Sequence, residues 1–181
     1  MTQAPLMDRI HITEDYDVPR VINGGWQLSA GHALERPLDL ADASRAFNRL
    51  IDMGFDTFDC ADIYTGVEDF FGGIIRERRK AGLRLPQIHT KFVPDLNDLA
   101  NVTPAYVENI ITRSLRRLGV ERLDAVQFHW WDYSVPGMVD VAGELVRLQE
   151  KGLIRRTTDE NDQRQKRVSA TEKGREMKEL V

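Results

Sequence analysis

With 181 residues, 41% of them hydrophobic, the chain can bury one sizeable core, yet it falls short of the ~200–250 residues of a complete eight-unit (β/α) barrel. The balance of 25 Lys+Arg against 29 Asp+Glu, net −4, argues against a general binder of nucleic acid or anionic membranes. One cysteine, Cys60, excludes an internal disulfide; residues 1–20 hold no apolar run of signal-peptide length, and no stretch approaches the ~20 apolar residues of a spanning helix, so a soluble cytoplasmic protein is expected.

In chain order, Arg9–Arg20 reads as a short hairpin. Four β-rich runs follow, Val21–Gly25, Phe55–Phe58, Gln87–Thr90 and Leu123–Phe128, each succeeded by a polar stretch and a helical pattern. The predicted helices are Leu40–Met53, Val67–Lys80, Pro104–Leu118 and Met138–Lys151. Thr103 stands as an N-cap ahead of Pro104, and Gly54, Gly119 and Gly152 stand where C-caps belong. Helix 104–118 places Val107, Ile110, Ile111, Leu115 and Leu118 on one stripe. Strand–helix alternation with short connections predicts a parallel sheet with right-handed crossovers. The four units from Arg20 to Lys151 average about 33 residues each, and eight at that pitch would make a barrel of ordinary size.

Composition changes near residue 151. All fourteen aromatic residues precede position 134. From Lys151 onward the chain carries net +3, which leaves −7 for the first 150 residues. So polar a segment cannot form a packed core by itself.

In parallel α/β folds, chemistry gathers just beyond the carboxyl ends of strands. There the second strand runs into Asp59, with Tyr64 five residues on; the third ends at Lys91 and the fourth at His129. Asp, Tyr, Lys and His at adjacent strand mouths make an acid/base constellation. Trp26 and Trp130–Trp131 could wall an apolar pocket. Taken singly, each has an ordinary reading: a solvated lysine, a structural histidine, tryptophans in a core. Four at matching depth weigh more than any one.

These residues resemble a known family. Phe58-Asp59-Cys60-Ala61-Asp62-Ile63-Tyr64 is similar to the aldo/keto reductase Asp-Thr-Ala-x-x-Tyr signature, with Cys60 in place of the usual Thr. Ile88-His89-Thr90-Lys91 resembles the strand ending in the catalytic Lys, and Val126-Gln127-Phe128-His129 the strand ending in the catalytic His. Asn23-Gly24-Gly25-Trp26 is similar to the first-strand Gly-x-Gly-Thr-Trp motif, again departing at the Thr. The resemblance covers about residues 18–152 and implies the N-terminal half of a (β/α)8 TIM barrel. It implies NADPH-dependent reduction of a small-molecule aldehyde or ketone, without a metal. Tyr64 would give its phenolic proton to the carbonyl oxygen. Lys91, held as an ammonium by Asp59, would ease that release through its charge, and His129 would orient the carbonyl. Trp26 and Trp130 would shape the substrate pocket. In full-length relatives strands five to eight bring most of the cofactor site, so no cofactor-binding residue is assigned and the isolated chain is expected to be impaired. Its open sheet edges could also pair two chains.

From Arg155 the pattern changes. Residues 152–181 resemble the wing of MarR-type transcription regulators: a hairpin of Ile154–Thr158 with Lys166–Thr171, then a helix Glu172–Val181. This divides the chain into a half-barrel with its N-terminal hairpin, 1–152, and a wing-like segment, 153–181. The rival reading is weak DNA binding, with Arg155, Arg156, Lys166 and Arg167 on phosphates and Arg164 near a minor groove. The expected start of a recognition helix, Met138-Val139-Asp140-Val141, is apolar and acidic, so DNA is the disfavoured partner. A third reading is a recombined chain with no evolved function.

Overall fold

The computed structural model describes residues 7–30 and 39–155. Two strands, β1 (Arg9–Thr13) and β2 (Tyr16–Pro19), pair antiparallel as the expected hairpin. The units that follow are β3 (Asn23–Gly24), α1 (Leu40–Asp52), β4 (Thr57–Asp59), α2 (Val67–Lys80), β5 (Gln87–Phe92), α3 (Pro104–Leu118), β6 (Ala125–Phe128) and α4 (Met138–Glu150). The sheet order is β3-β4-β5-β6 and every pairing is parallel. This is a partial (β/α) barrel, as the strand–helix alternation requires.

Helix ends follow local chemistry. The Asp39 side chain accepts the N–H groups of Ala41 and Asp42 to start α1. Thr103 caps α3 by accepting the Tyr106 N–H at 3.2 Å, with Pro104 inside the first turn. Gly119 ends α3 at φ +67°, a left-handed conformation that costs glycine no Cβ clash.

The helix-facing core joins the two periodicities. Ile88, Thr90 and Phe92 alternate into it from β5, while Val107, Ile110, Ile111 and Leu118 face it from α3. Each fully buried aliphatic side chain contributes about 1.5–3 kcal/mol of transfer energy. Phe47, Phe58, Phe70 and Phe71 form an aromatic cluster between α1, β4 and α2. Two close approaches need glycine. A Cβ on Gly72 would lie 2.1 Å from Arg117 O where α2 crosses α3, and one on Gly25 would lie 2.8 Å from Asp59 O.

The hairpin is tied to the amino ends of β4 and β5. Arg9 donates to Asp17 (2.9 Å), to Asp56 (2.8 Å) and to Gln87 (3.3 Å), and Arg84 reaches the second Asp56 oxygen at 2.5 Å. Higher up, Tyr16 Oη and His89 Nε2 are 2.8 Å apart. Burial lowers the proton affinity of His89, with Asp59 opposing that shift and Lys91 adding to it.

Chain past α4 returns to the sheet. Ile154 bridges Leu123 in parallel, through Leu123 N–H to Leu153 O (2.9 Å) and Arg155 N–H to Leu123 O (2.8 Å). The Arg155 guanidinium lies 4.8 Å from the Tyr16 ring centroid and 3.8 Å from Asp124. The rest of the wing-like hairpin and its helix lie outside the described residues. No helix among those residues is long and apolar enough to cross a membrane.

Candidate active site

The parallel ladder continues past the named strands, and this fixes the site. Gly25 N–H donates to Asp59 O (2.8 Å), Cys60 N–H to His89 O (2.8 Å), Asp62 N–H to Lys91 O (3.1 Å) and His129 N–H to Phe92 O (3.0 Å). The segments after β3, β4, β5 and β6 are thus held side by side. Side-chain alternation puts Asp59, His89, Lys91 and Gln127 on the inner side of the sheet, away from the helices.

Lys91 Nζ donates to Asp59 Oδ1 at 2.5 Å and to Cys60 O at 3.0 Å, and lies 5.3 Å from the Tyr64 ring centroid. Three of the four expected acid/base residues therefore meet in one place. Burial raises the Cys60 thiol well above its usual range, with Glu68 adding to that shift, so it stays protonated beside the pair. His129, exposed at the mouth of β6, packs its ring edge-on to Trp131 at 4.5 Å.

The tryptophans divide by the same alternation. Trp130 is 4% exposed on the helix side, 5.8 Å from the Phe128 ring, with its indole N–H on Val135 O at 3.2 Å. Trp131, 46% exposed, stays on the His129 side and donates to Pro94 O at 2.7 Å. A cavity of about 530 Å³ opens there, lined by Ile63, Pro94, Asp95, Leu96 and Trp131 among others. Trp26 lies in a short 3-10 turn after β3 and is also 46% exposed.

One residue of this group escaped the sequence reading as a participant. Gln127 Nε2 donates to Asp59 Oδ1 at 2.8 Å, the same oxygen that holds Lys91. The signal was available: Gln127 lies two residues before His129, so both share one side of the strand.

A lysine held by an aspartate with a tyrosine beside it thus stands at the carboxyl ends of parallel β/α units in a partial TIM barrel. The aldo/keto reductase family profile matches residues 20–158, and the chain belongs to that family of oxidoreductases. It is 29% identical over 163 residues to "Probable aldo-keto reductase 1" of Glycine max, a match covering 86% of this chain and 45% of that protein. The chain thus spans about half the length of this curated relative. Among solved structures, PA4992, "the putative aldo-keto reductase" of Pseudomonas aeruginosa, aligns with a TM-score of 0.66 at 21% identity, covering 84% of this chain and 59% of that one. The holo form of AKR11C1 from Bacillus halodurans aligns at 0.64 and 22% identity, covering 82% and 48%. Both likenesses are of fold.

Proposed function

We propose that this chain carries the acid/base half of an NADPH-dependent carbonyl reductase, acting on a small aldehyde or ketone. The observation that supports it best is the Lys91 ammonium, held by Asp59 Oδ1 and Cys60 O with the Tyr64 ring beside it. Tyr64 delivers its phenolic proton to the carbonyl oxygen. Lys91 favours that transfer by stabilising the negative charge left on the phenol, and Asp59 holds the ammonium in place. His129 orients the carbonyl by a hydrogen bond. Trp26 and Trp131 wall the pocket by their exposed faces, whereas Trp130, buried on the helix side against Phe128, does not line it.

The described residues fit the reacting end of the cofactor, because the clamped lysine and the tyrosine occupy one inner face at the strand mouths. When bound, NADPH would supply the hydride that reduces the carbonyl carbon, and Tyr64 would supply the proton that completes the alcohol. In this reading most contacts to the nucleotide come from units beyond the four described. The 181-residue chain taken alone therefore binds it weakly and turns over far below a complete barrel.

Titration with NADPH, followed by nicotinamide and tryptophan fluorescence, tests the reading together with aldehyde-dependent NADPH oxidation. Weak saturable binding with slow turnover that disappears in Tyr64→Phe supports it. Turnover unaffected by Tyr64→Phe overturns the assignment of the proton donor.

A further inference from the structure

We propose that Asp62 is a positioning residue, latching the loop that carries Tyr64 onto the end of β5 that carries Lys91. This rests on the roles given above to Lys91 and Tyr64.

Every polar group of Asp62 is engaged, and the partners come from two separate elements. Its N–H donates to Lys91 O at 3.1 Å, and its carbonyl accepts Arg117 Nη1 at 3.0 Å. Its carboxylate accepts the Val93 N–H on Oδ1 and Arg113 Nη2 on Oδ2, each at 3.0 Å. The bonds to Lys91 and Val93 bracket Phe92, the last residue of β5, so the loop is stitched to the strand on both sides of its end. Tyr64 follows directly, because its N–H donates to Ala61 O at 3.1 Å and closes a tight turn around Asp62 and Ile63. A shift of Asp62 therefore moves Tyr64 relative to Lys91.

Arg117 extends the latch to α2. The same Nη1 that holds Asp62 O reaches Glu68 Oε2 at 3.2 Å, and Glu68 Oε1 accepts Thr90 Oγ1 at 2.7 Å. The loop is thus fixed at Asp62 and again at Glu68. The Asp62 side chain is 1% exposed, a placement that works against the ionised form. An apolar residue would fill that space at lower cost but could hold neither the Val93 N–H nor Arg113. What the carboxylate supplies is geometry.

The test uses the full chain with isotope-labelled tyrosine and lysine. The readout is the nuclear Overhauser contact between the Lys91 ε-methylene and the Tyr64 ring, expected from the 5.3 Å between Lys91 Nζ and the ring centroid. The Tyr16–His89 contact, near the other end of β5, reports whether the fold is intact. In Asp62→Ala the first contact should fall several-fold while the second persists; Asp62→Asn, which keeps an acceptor for the Val93 N–H, should recover most of it. An undiminished contact in Asp62→Ala overturns the latch alone. A contact missing from the parent chain overturns the Lys91–Tyr64 reading and the latch together. If Asp62→Ala does not fold, Arg113→Met decides: a partial loss supports the latch, and a contact at parental strength overturns it.

Discussion

Lys91 Nζ lies 2.5 Å from Asp59 Oδ1, and its second bond goes to the carbonyl of Cys60, the very next residue. An ammonium has three donors. Two are spent on adjacent groups of one chain segment, which leaves the third for the side where the Tyr64 ring stands. The charge is held by the loop that also carries the tyrosine.

Removing that charge should therefore act on the chemical step. In NADPH-dependent reduction of a simple aldehyde, Lys91→Met and Tyr64→Phe are each expected to lower kcat by about 100-fold or more, with KM little changed. Steady-state kinetics against the parent chain check this. A change confined to KM would place both residues in binding only.

Gln127 should matter less, and through Asp59. Gln127→Leu removes the second donor to Asp59 Oδ1 while leaving Lys91 its partner. A fall in kcat of about tenfold, worth about 1.4 kcal/mol, is expected. The same assay measures it, and a loss as large as that of Lys91→Met would contradict a supporting role.

Asp62 and His89 should shape the pH dependence of stability with opposite signs. Burial pushes the Asp62 carboxyl up to about 6 from an ordinary 3.8, so the folded chain binds that proton more tightly than the unfolded chain. This stabilising contribution is present in acid and is lost as pH rises through about 6. Asp62→Asn should then stabilise the fold at pH 8 by up to about 3 kcal/mol, an advantage that vanishes by pH 4. For His89, burial lowers the proton affinity in the fold. Its contribution is present above the ordinary histidine range and is lost as pH falls through the folded value, so His89→Gln should soften the acid limb. Urea midpoints at several pH values separate the two.

Two adjacent glycines in α2 should respond in opposite directions. A Cβ at Gly72 meets the Arg117 backbone oxygen at 2.1 Å, whereas one at Gly73 meets only the tip of Arg76 at 4.0 Å. Gly72→Ala is expected to cost about 3 kcal/mol or more, since α2 and α3 must separate. Gly73→Ala should stabilise by up to about 1 kcal/mol through helix propensity. Thermal unfolding of both variants gives the comparison.

Much of this was legible in the chain itself. Apolar spacing delimits α2 at Val67–Lys80, and spacing with the Thr103 and Gly119 caps delimits α3 at Pro104–Leu118, the ranges found. The first strand was read too long: of Val21–Gly25, Asn23–Gly24 form β3, which among the described residues bonds only β4, and Gly25 adds a single bond to Asp59 O. Motif spacing placed Asp59, Tyr64, Lys91 and His129 at the strand mouths, but could not say which tryptophan faces His129. That needed the alternation carried past β6, which turns Trp130 to the helix side and keeps Trp131 on the side of His129.

By itself, then, the sequence determined the elements, their parallel order and the residues available for acid/base chemistry. These follow from periodicity and capping, which act over a few residues. The tertiary structure alone decided that Gln127 shares the Asp59 oxygen with Lys91, that Tyr16 reaches His89, and that the four polar groups of Asp62 divide between the end of β5 and the arginines of α3. Those contacts join residues 29 to 73 positions apart, and their partners are chosen by strand register and by the burial of polar groups that must find a bond, neither of which a local pattern specifies.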